Sequence, residues 1–157
     1  MVIVLQRVSE ASVEVGGKVA GAIGRGVCLL VGIEKGDTEE DARFLAGKTA
    51  ELRIFPDAEG KMNVPLTAVG GAVLAVSQFT LAGSVRKGRR PSFDGAEEPA
   101  RAEALFRELV TVLRVRGLKV ETGVFQATMK VRLVNDGPVT FLLESRKGGE
   151  RESGGGP

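Results

Sequence analysis

The chain has 157 residues, a formal net charge of +2, and 43% hydrophobic and 27% charged residues, the proportions of one soluble globular domain. It has no histidine and a single cysteine, which excludes a Ser-His-Asp triad, a Cys-His dyad, an intrachain disulfide and a His- or thiolate-ligated metal. Any catalysis must use hydroxyls, carboxylates, lysines, backbone groups or the substrate itself, with no metal or cofactor expected.

Met1-Val2-Ile3-Val4-Leu5-Gln6-Arg7 has no basic leader before its apolar stretch and no small-residue cleavage site after it. It reads as a first strand and not as a signal peptide. No apolar run approaches the ~18–20 residues that span a bilayer, so a cytoplasmic, non-membrane protein is expected. Val13 and Val15 alternate with polar residues ahead of Gly16-Gly17 and Val19, a hairpin signal. Val27 to Ile33 is an unbroken apolar run, predicting a strand buried on both faces, with Cys28 as an inert buried thiol. Asp37 and Glu40 have the spacing of a capping box. Ala42, Leu45, Ala46, Thr49 and Leu52 follow at helical spacing, predicting a helix over 38–53.

Ala72 to Phe79 reads as a second buried strand, and a basic loop, Arg86-Lys87-Gly88-Arg89-Arg90-Pro91, follows it. Pro99 suits the first turn of a second helix. Ala102, Leu105, Phe106, Leu109, Val110 and Leu113 form its apolar stripe, and Gly117 is placed to end it. Two strands close the chain, about 120–134 with a break and 139–144, separated by Asn135-Asp136-Gly137-Pro138 read as a turn. The expected fold is α+β: a single domain over 1–145, with a mixed or antiparallel β-sheet packed with two main helices. The glycine-rich stretch 146–157 is expected to be a disordered tail.

Three segments can carry chemistry. Ser77-Gln78-Phe79-Thr80 ends a strand and can present hydroxyls, an amide and backbone N–H groups to a ligand, donors worth ~3–4 kcal/mol at a developing oxyanion. The plainer alternative is a strand end whose hydroxyls cap neighbouring turns. Gly137-Pro138 is either an ordinary turn or a rigid backbone element able to read stereochemistry without a side chain. Arg86, Lys87, Arg89 and Arg90 form either a solvated charged loop or a phosphate-binding one.

Ser77-Gln78-Phe79-Thr80-Leu81 and Asn135-Asp136-Gly137-Pro138-Val139-Thr140 together resemble the two signature segments of the D-aminoacyl-tRNA deacylases. Gln6-Arg7-Val8, Arg53-Ile54-Phe55, Gly60-Lys61-Met62-Asn63, Arg90-Pro91-Ser92-Phe93, Phe125 and Met129 match in the same order, so the resemblance covers nearly all of 1–145. It implies a homodimer that hydrolyses the ester of D-aminoacyl-tRNA, or of glycyl-tRNA mischarged on a non-cognate tRNA. Gly137 and Pro138 would insert into the partner's active site, their carbonyl oxygens excluding an L side chain. Ser77, Gln78, Phe79 and Thr80 would line the pocket, Arg7 would orient the Gly-Pro element, and Phe125 and Met129 would wall the site. Two alternatives stay open: a non-catalytic RNA-binding or aminoacyl-sensing module, and a related deacylase with a trans Gly-Pro bond and a preference for L-alanine on mischarged tRNA.

Overall fold

The computed structural model describes residues 1–145. The stretch 146–157, read from sequence as a disordered tail, lies outside the described residues. The first strand, β1 (Val2–Val15), turns through Gly16 and Gly17 into β2 (Lys18–Ile23). Both glycines have left-handed φ, +57° and +79°, the geometry of a tight hairpin matched to strand twist. Next come β3 (Gly26–Gly32), α1 (Glu39–Glu51), the short pair β4 (Phe55–Pro56) and β5 (Met62–Val64), β6 (Ala72–Ser77), α2 (Pro99–Val115), β7 (Lys119–Thr122) and β8 (Lys130–Glu144).

One main sheet runs β2-β1-β3-β6-β7, with β8 on the other edge of β1. The β3–β6 and β6–β7 pairs are parallel, and β1 is antiparallel to β2, β3 and β8. This is the expected mixed-sheet α+β fold. The parallel pairs are joined by crossovers containing α1 and α2, and parallel neighbours require such connections. No helix among the described residues is long and apolar enough to cross a membrane.

Two buried clusters explain the unbroken apolar runs. Val27, Leu29 and Val31 of β3, with Val73 and Ala75 of β6, face a cluster that includes Leu45 of α1 and Leu105, Leu109 and Leu113 of α2. Cys28, Leu74 and Val76 face the opposite way, onto Val8, Val13 and Ile23. A strand covered on both faces has no position for a polar alternation. At ~25 cal/mol per Å² of apolar surface removed from water, these two clusters supply the main driving force for folding.

The start of α1 differs from expectation by one residue. Thr38, in extended backbone, is the N-cap, and its box partner is Asp41, not Asp37 with Glu40. The Thr38 N–H donates to Asp41 Oδ2 at 2.8 Å, and the Asp41 N–H donates to Thr38 Oγ1 at 3.4 Å. Asp37 is buried instead, accepting from the Met1 ammonium at 2.5 Å and from the Glu34 N–H at 2.7 Å. The two helices are tied by a two-pronged Arg101–Glu39 ion pair at 2.6 and 3.0 Å. The hydrogen bonds from Arg101 hold the Glu39 carboxyl down at about 2.

A second difference concerns 135–138. These residues do not reverse the chain: β8 continues through them and stays paired with β1 on either side.

Cys28 is 1% exposed, and burial pushes its thiol up to about 11. The native protein is therefore expected to leave Cys28 unlabelled by an aromatic disulfide reagent at neutral pH. Its one thiol should titrate only after denaturant is added, as release of the coloured thiolate would show.

Candidate active site

Strands β3 and β6 run parallel and end together, and the chain leaving β6 turns at once. Gln78 donates its backbone N–H to Val31 O at 2.7 Å, and Phe79–Ala82 wind into a single 3₁₀ turn. Beside these strand ends lies an open cavity of about 500 Å³, lined by Ser77, Gln78 and Phe79, by Phe125, Gln126 and Met129, and by the start of α2. Phe125 is held from behind by Phe106 of α2, with ring centroids 6.4 Å apart. Five of the sequence-predicted residues, Ser77, Gln78, Phe79, Phe125 and Met129, thus share one cavity.

Thr80 lies at the rim, exposed and outside the lining, where its Oγ accepts from Gln78 Nε2. Phe79 is 61% exposed, and its ring meets Phe93 edge-on at 5.1 Å. That contact roots the basic loop at the cavity mouth. Ser84 and Ser92 exchange backbone hydrogen bonds at 2.7 and 2.9 Å, so Arg86, Lys87, Arg89 and Arg90 project from a closed, exposed loop.

Arg7, Gly137 and Pro138 form a separate cluster on the β1–β8 edge. Gln6 pairs with Thr140 and Val8 with Asn135, so residues 136–139 bulge out opposite Arg7 alone. The Gly137–Pro138 peptide is cis, and both residues are exposed. Arg7 spans the base of the bulge: Nε donates to Asp136 O at 2.9 Å and Nη1 to Ile54 O at 2.6 Å. Asn135 closes it, accepting from the Val139 N–H at 2.8 Å and donating to Thr140 Oγ1 at 3.0 Å. Exposed Val134, Phe141 and Leu142 flank the bulge on β8.

Sequence reasoning missed Glu97, the one charged side chain lining the cavity among the described residues, and Gln126. Gln126 has φ +64°, the one non-glycine positive φ among the described residues, a conformation found disproportionately at functional sites. Nothing in its local sequence marks it. Among the described residues there is no cluster of His, Cys, Asp or Glu able to hold a metal ion.

Comparison with known proteins identifies the family of this chain. Residues 4–144 match the family described as D-Tyr-tRNA(Tyr) deacylase. The D-aminoacyl-tRNA deacylase of Geobacter sulfurreducens is 59% identical over 143 residues, covering 91% of this chain and 94% of the relative. That of Koribacter versatilis is 59% identical over 144 residues, covering 92% and 97%. A solved structure described as c-Myc DNA Unwinding Element Binding Protein superposes with a TM-score of 0.87 at 41% identity, covering 93% and 99%. A probable eukaryotic D-amino acid tRNA deacylase shares the fold, with a TM-score of 0.76 at 22% identity over 91% and 98%. These likenesses define the class first: a hydrolase acting on ester bonds. The chain belongs to the D-Tyr-tRNA(Tyr) deacylase family.

At Gly137 an added Cβ would lie 2.7 Å from Val139 Cγ2 and 3.0 Å from Arg7 Nη2, in a backbone with φ +136° that L side chains rarely adopt. Gly137→Ala is therefore expected to distort the bulge and lower kcat/KM for D-tyrosyl-tRNA by at least about tenfold. A deacylation time course, with a thermal melt to confirm folding, measures it.

Proposed function

We propose that this enzyme clears D-aminoacyl-tRNA, and glycyl-tRNA mischarged on a non-cognate tRNA, releasing free amino acid and intact tRNA in the cytoplasm. In this reading residues 1–145 are the deacylase domain, and the enzyme rejects L-aminoacyl esters with backbone alone. The observation that carries the reading is the bulge: Gly137 and Pro138 stand exposed on an edge strand, outside the cavity lining and gripped by Arg7.

A rigid backbone element of this kind needs a cavity to enter, and a second copy of the chain supplies one. Exposed Val134, Phe141 and Leu142 beside the bulge, and exposed Phe79 at the cavity mouth, are apolar surfaces that such a homodimer would cover. The Gly137 and Pro138 carbonyl oxygens of one protomer then occupy the space an L side chain would need. A D side chain points elsewhere, and glycine has none to exclude. Phe125 and Met129 wall the pocket, and Arg86, Lys87, Arg89 and Arg90 take phosphates of the tRNA.

The chemistry suits a chain without histidine, because an aminoacyl ester is already activated. Water adds to the ester carbonyl carbon, and the tetrahedral oxyanion is held by backbone and polar groups of Ser77, Gln78 and Phe79, with Thr80 at the rim accepting from the Gln78 side-chain amide. The intermediate collapses with cleavage of the bond between carbonyl carbon and ribose oxygen. That oxygen leaves with the proton lost by the water, relayed through the neighbouring ribose hydroxyl. The enzyme's share is positioning and charge stabilisation.

Two measurements test this. Purified protein should hydrolyse D-tyrosyl-tRNA and glycyl-tRNA but not L-tyrosyl-tRNA; equal clearance of the D and L esters would sink the backbone filter. Thr80→Ala should retain activity within about tenfold, while a substrate ending in 2′-deoxyadenosine should lose roughly 10²-fold or more. An inactive Thr80→Ala protein with intact tRNA binding would instead make Thr80 the nucleophile.

A further inference from the structure

We infer that Phe55 is a specificity-determining positioning residue: its buried ring seats the Arg7 guanidinium, and through Arg7 it sets where the Gly137-Pro138 bulge stands. The inference rests on the backbone filter proposed above and names the part of the fold that keeps the filter in register.

Arg7 is the only residue of β1 facing the bulge, so what β1 contributes to holding it is one long, flexible side chain. Two hydrogen bonds fix the direction of the guanidinium, to Asp136 O and Ile54 O. The guanidinium also lies over the Phe55 ring, with Arg7 Cζ 6.0 Å from the ring centroid, at the outer range of an attraction between a cation and a π face. Arg25 approaches the same ring at 5.2 Å. Phe55 is 1% exposed although its neighbour Pro56 is exposed. Its depth is set by pairing with Val64 and by packing against the main core.

Ile54, the acceptor of the second Arg7 bond, immediately precedes Phe55 and is itself 4% exposed. One short segment therefore supplies both the ring and the carbonyl that hold Arg7. On the other side Arg7 Nη2 lies 3.0 Å from where a Cβ on Gly137 would be. A small movement of the guanidinium is passed to the bulge through its hydrogen bond to Asp136 O, the residue before Gly137. Phe55 is not itself among the residues lining the cavity, so its proposed effect on the bulge runs through the Arg7 guanidinium that lies over its ring.

The test compares Phe55→Leu, Phe55→Met and Phe55→Tyr with the parent enzyme on D- and L-tyrosyl-tRNA. Leucine and methionine fill the space without a π face, whereas tyrosine keeps one. The leucine and methionine variants should lower the D-to-L ratio of kcat/KM by about tenfold, through a rise in the L rate, with tyrosine restoring most of it. A merely structural defect lowers both rates together and leaves their ratio intact. The Arg7 Nε–H resonance gives a second readout, since loss of the ring should remove its ring-current shift and speed its exchange with solvent. Should the leucine variant not fold, the methionine variant and this resonance decide. Arg7→Lys is the control. An unchanged ratio in the folded leucine and methionine variants, with a fall in Arg7→Lys, overturns the role of Phe55 and leaves the filter standing. An unchanged ratio in Arg7→Lys overturns the positioning of the bulge by Arg7, and the role of Phe55 with it, whereas equal D and L rates in the parent enzyme overturn the filter itself.

Discussion

Strand β1 is hydrogen-bonded along both edges, and that double pairing places most of what matters in this molecule. On one edge it carries β3 and then β2; on the other it carries β8 for nearly its whole length. A strand locked on both sides cannot slip, because a one-residue shift would turn every buried side chain outward. Two register shifts interrupt the β1–β8 ladder near the middle of β1, and in the larger one residues 136–139 of β8 swing out opposite Arg7. The bulge is exposed because the strands around it are not free to absorb it. Bulges in such positions commonly re-aim a segment toward a site.

The cavity has a different origin. It opens where the parallel strands β3 and β6 end, next to the start of α2. Ligands in folds with parallel strands favour such carboxyl ends, because side chains and backbone from adjacent strands converge there. Cavity and bulge thus belong to separate parts of the chain's surface. The proposed dimer brings them together, and the exposed apolar residues near each would lose their contact with water in the same step.

Much of this was legible in the sequence for ordinary physical reasons. The runs in β3 and β6 are unbroken because core lies on both faces, and the stripe from Ala102 to Leu113 repeats because α2 has one buried side. The family resemblance, carried by Ser77 to Leu81 and Asn135 to Thr140, agrees with the match over 4–144. The errors were local. The helix cap moved from Asp37 to Thr38 because Asp37 is claimed by the buried Met1 ammonium, a contact between residues 36 positions apart. Asn135 to Pro138 has turn composition but no reversal, because β1 continues alongside and holds β8 straight. Glu97 and Gln126 escaped notice because entry to a cavity depends on which elements meet there, and neighbouring residues do not encode it.

By itself the sequence determined the two helices and the buried core strands, the α+β class, the absence of any histidine chemistry and the family. Each follows from periodicity, composition or a string of residues read along the chain. Tertiary structure alone decided that Arg7, Ile54, Phe55 and Asp136 form one assembly, and that Thr80 stands at the rim of the cavity and not within its lining. Such facts depend on side chains from distant positions meeting at hydrogen-bonding distance. Only the register of paired strands and the packing of the core set those distances.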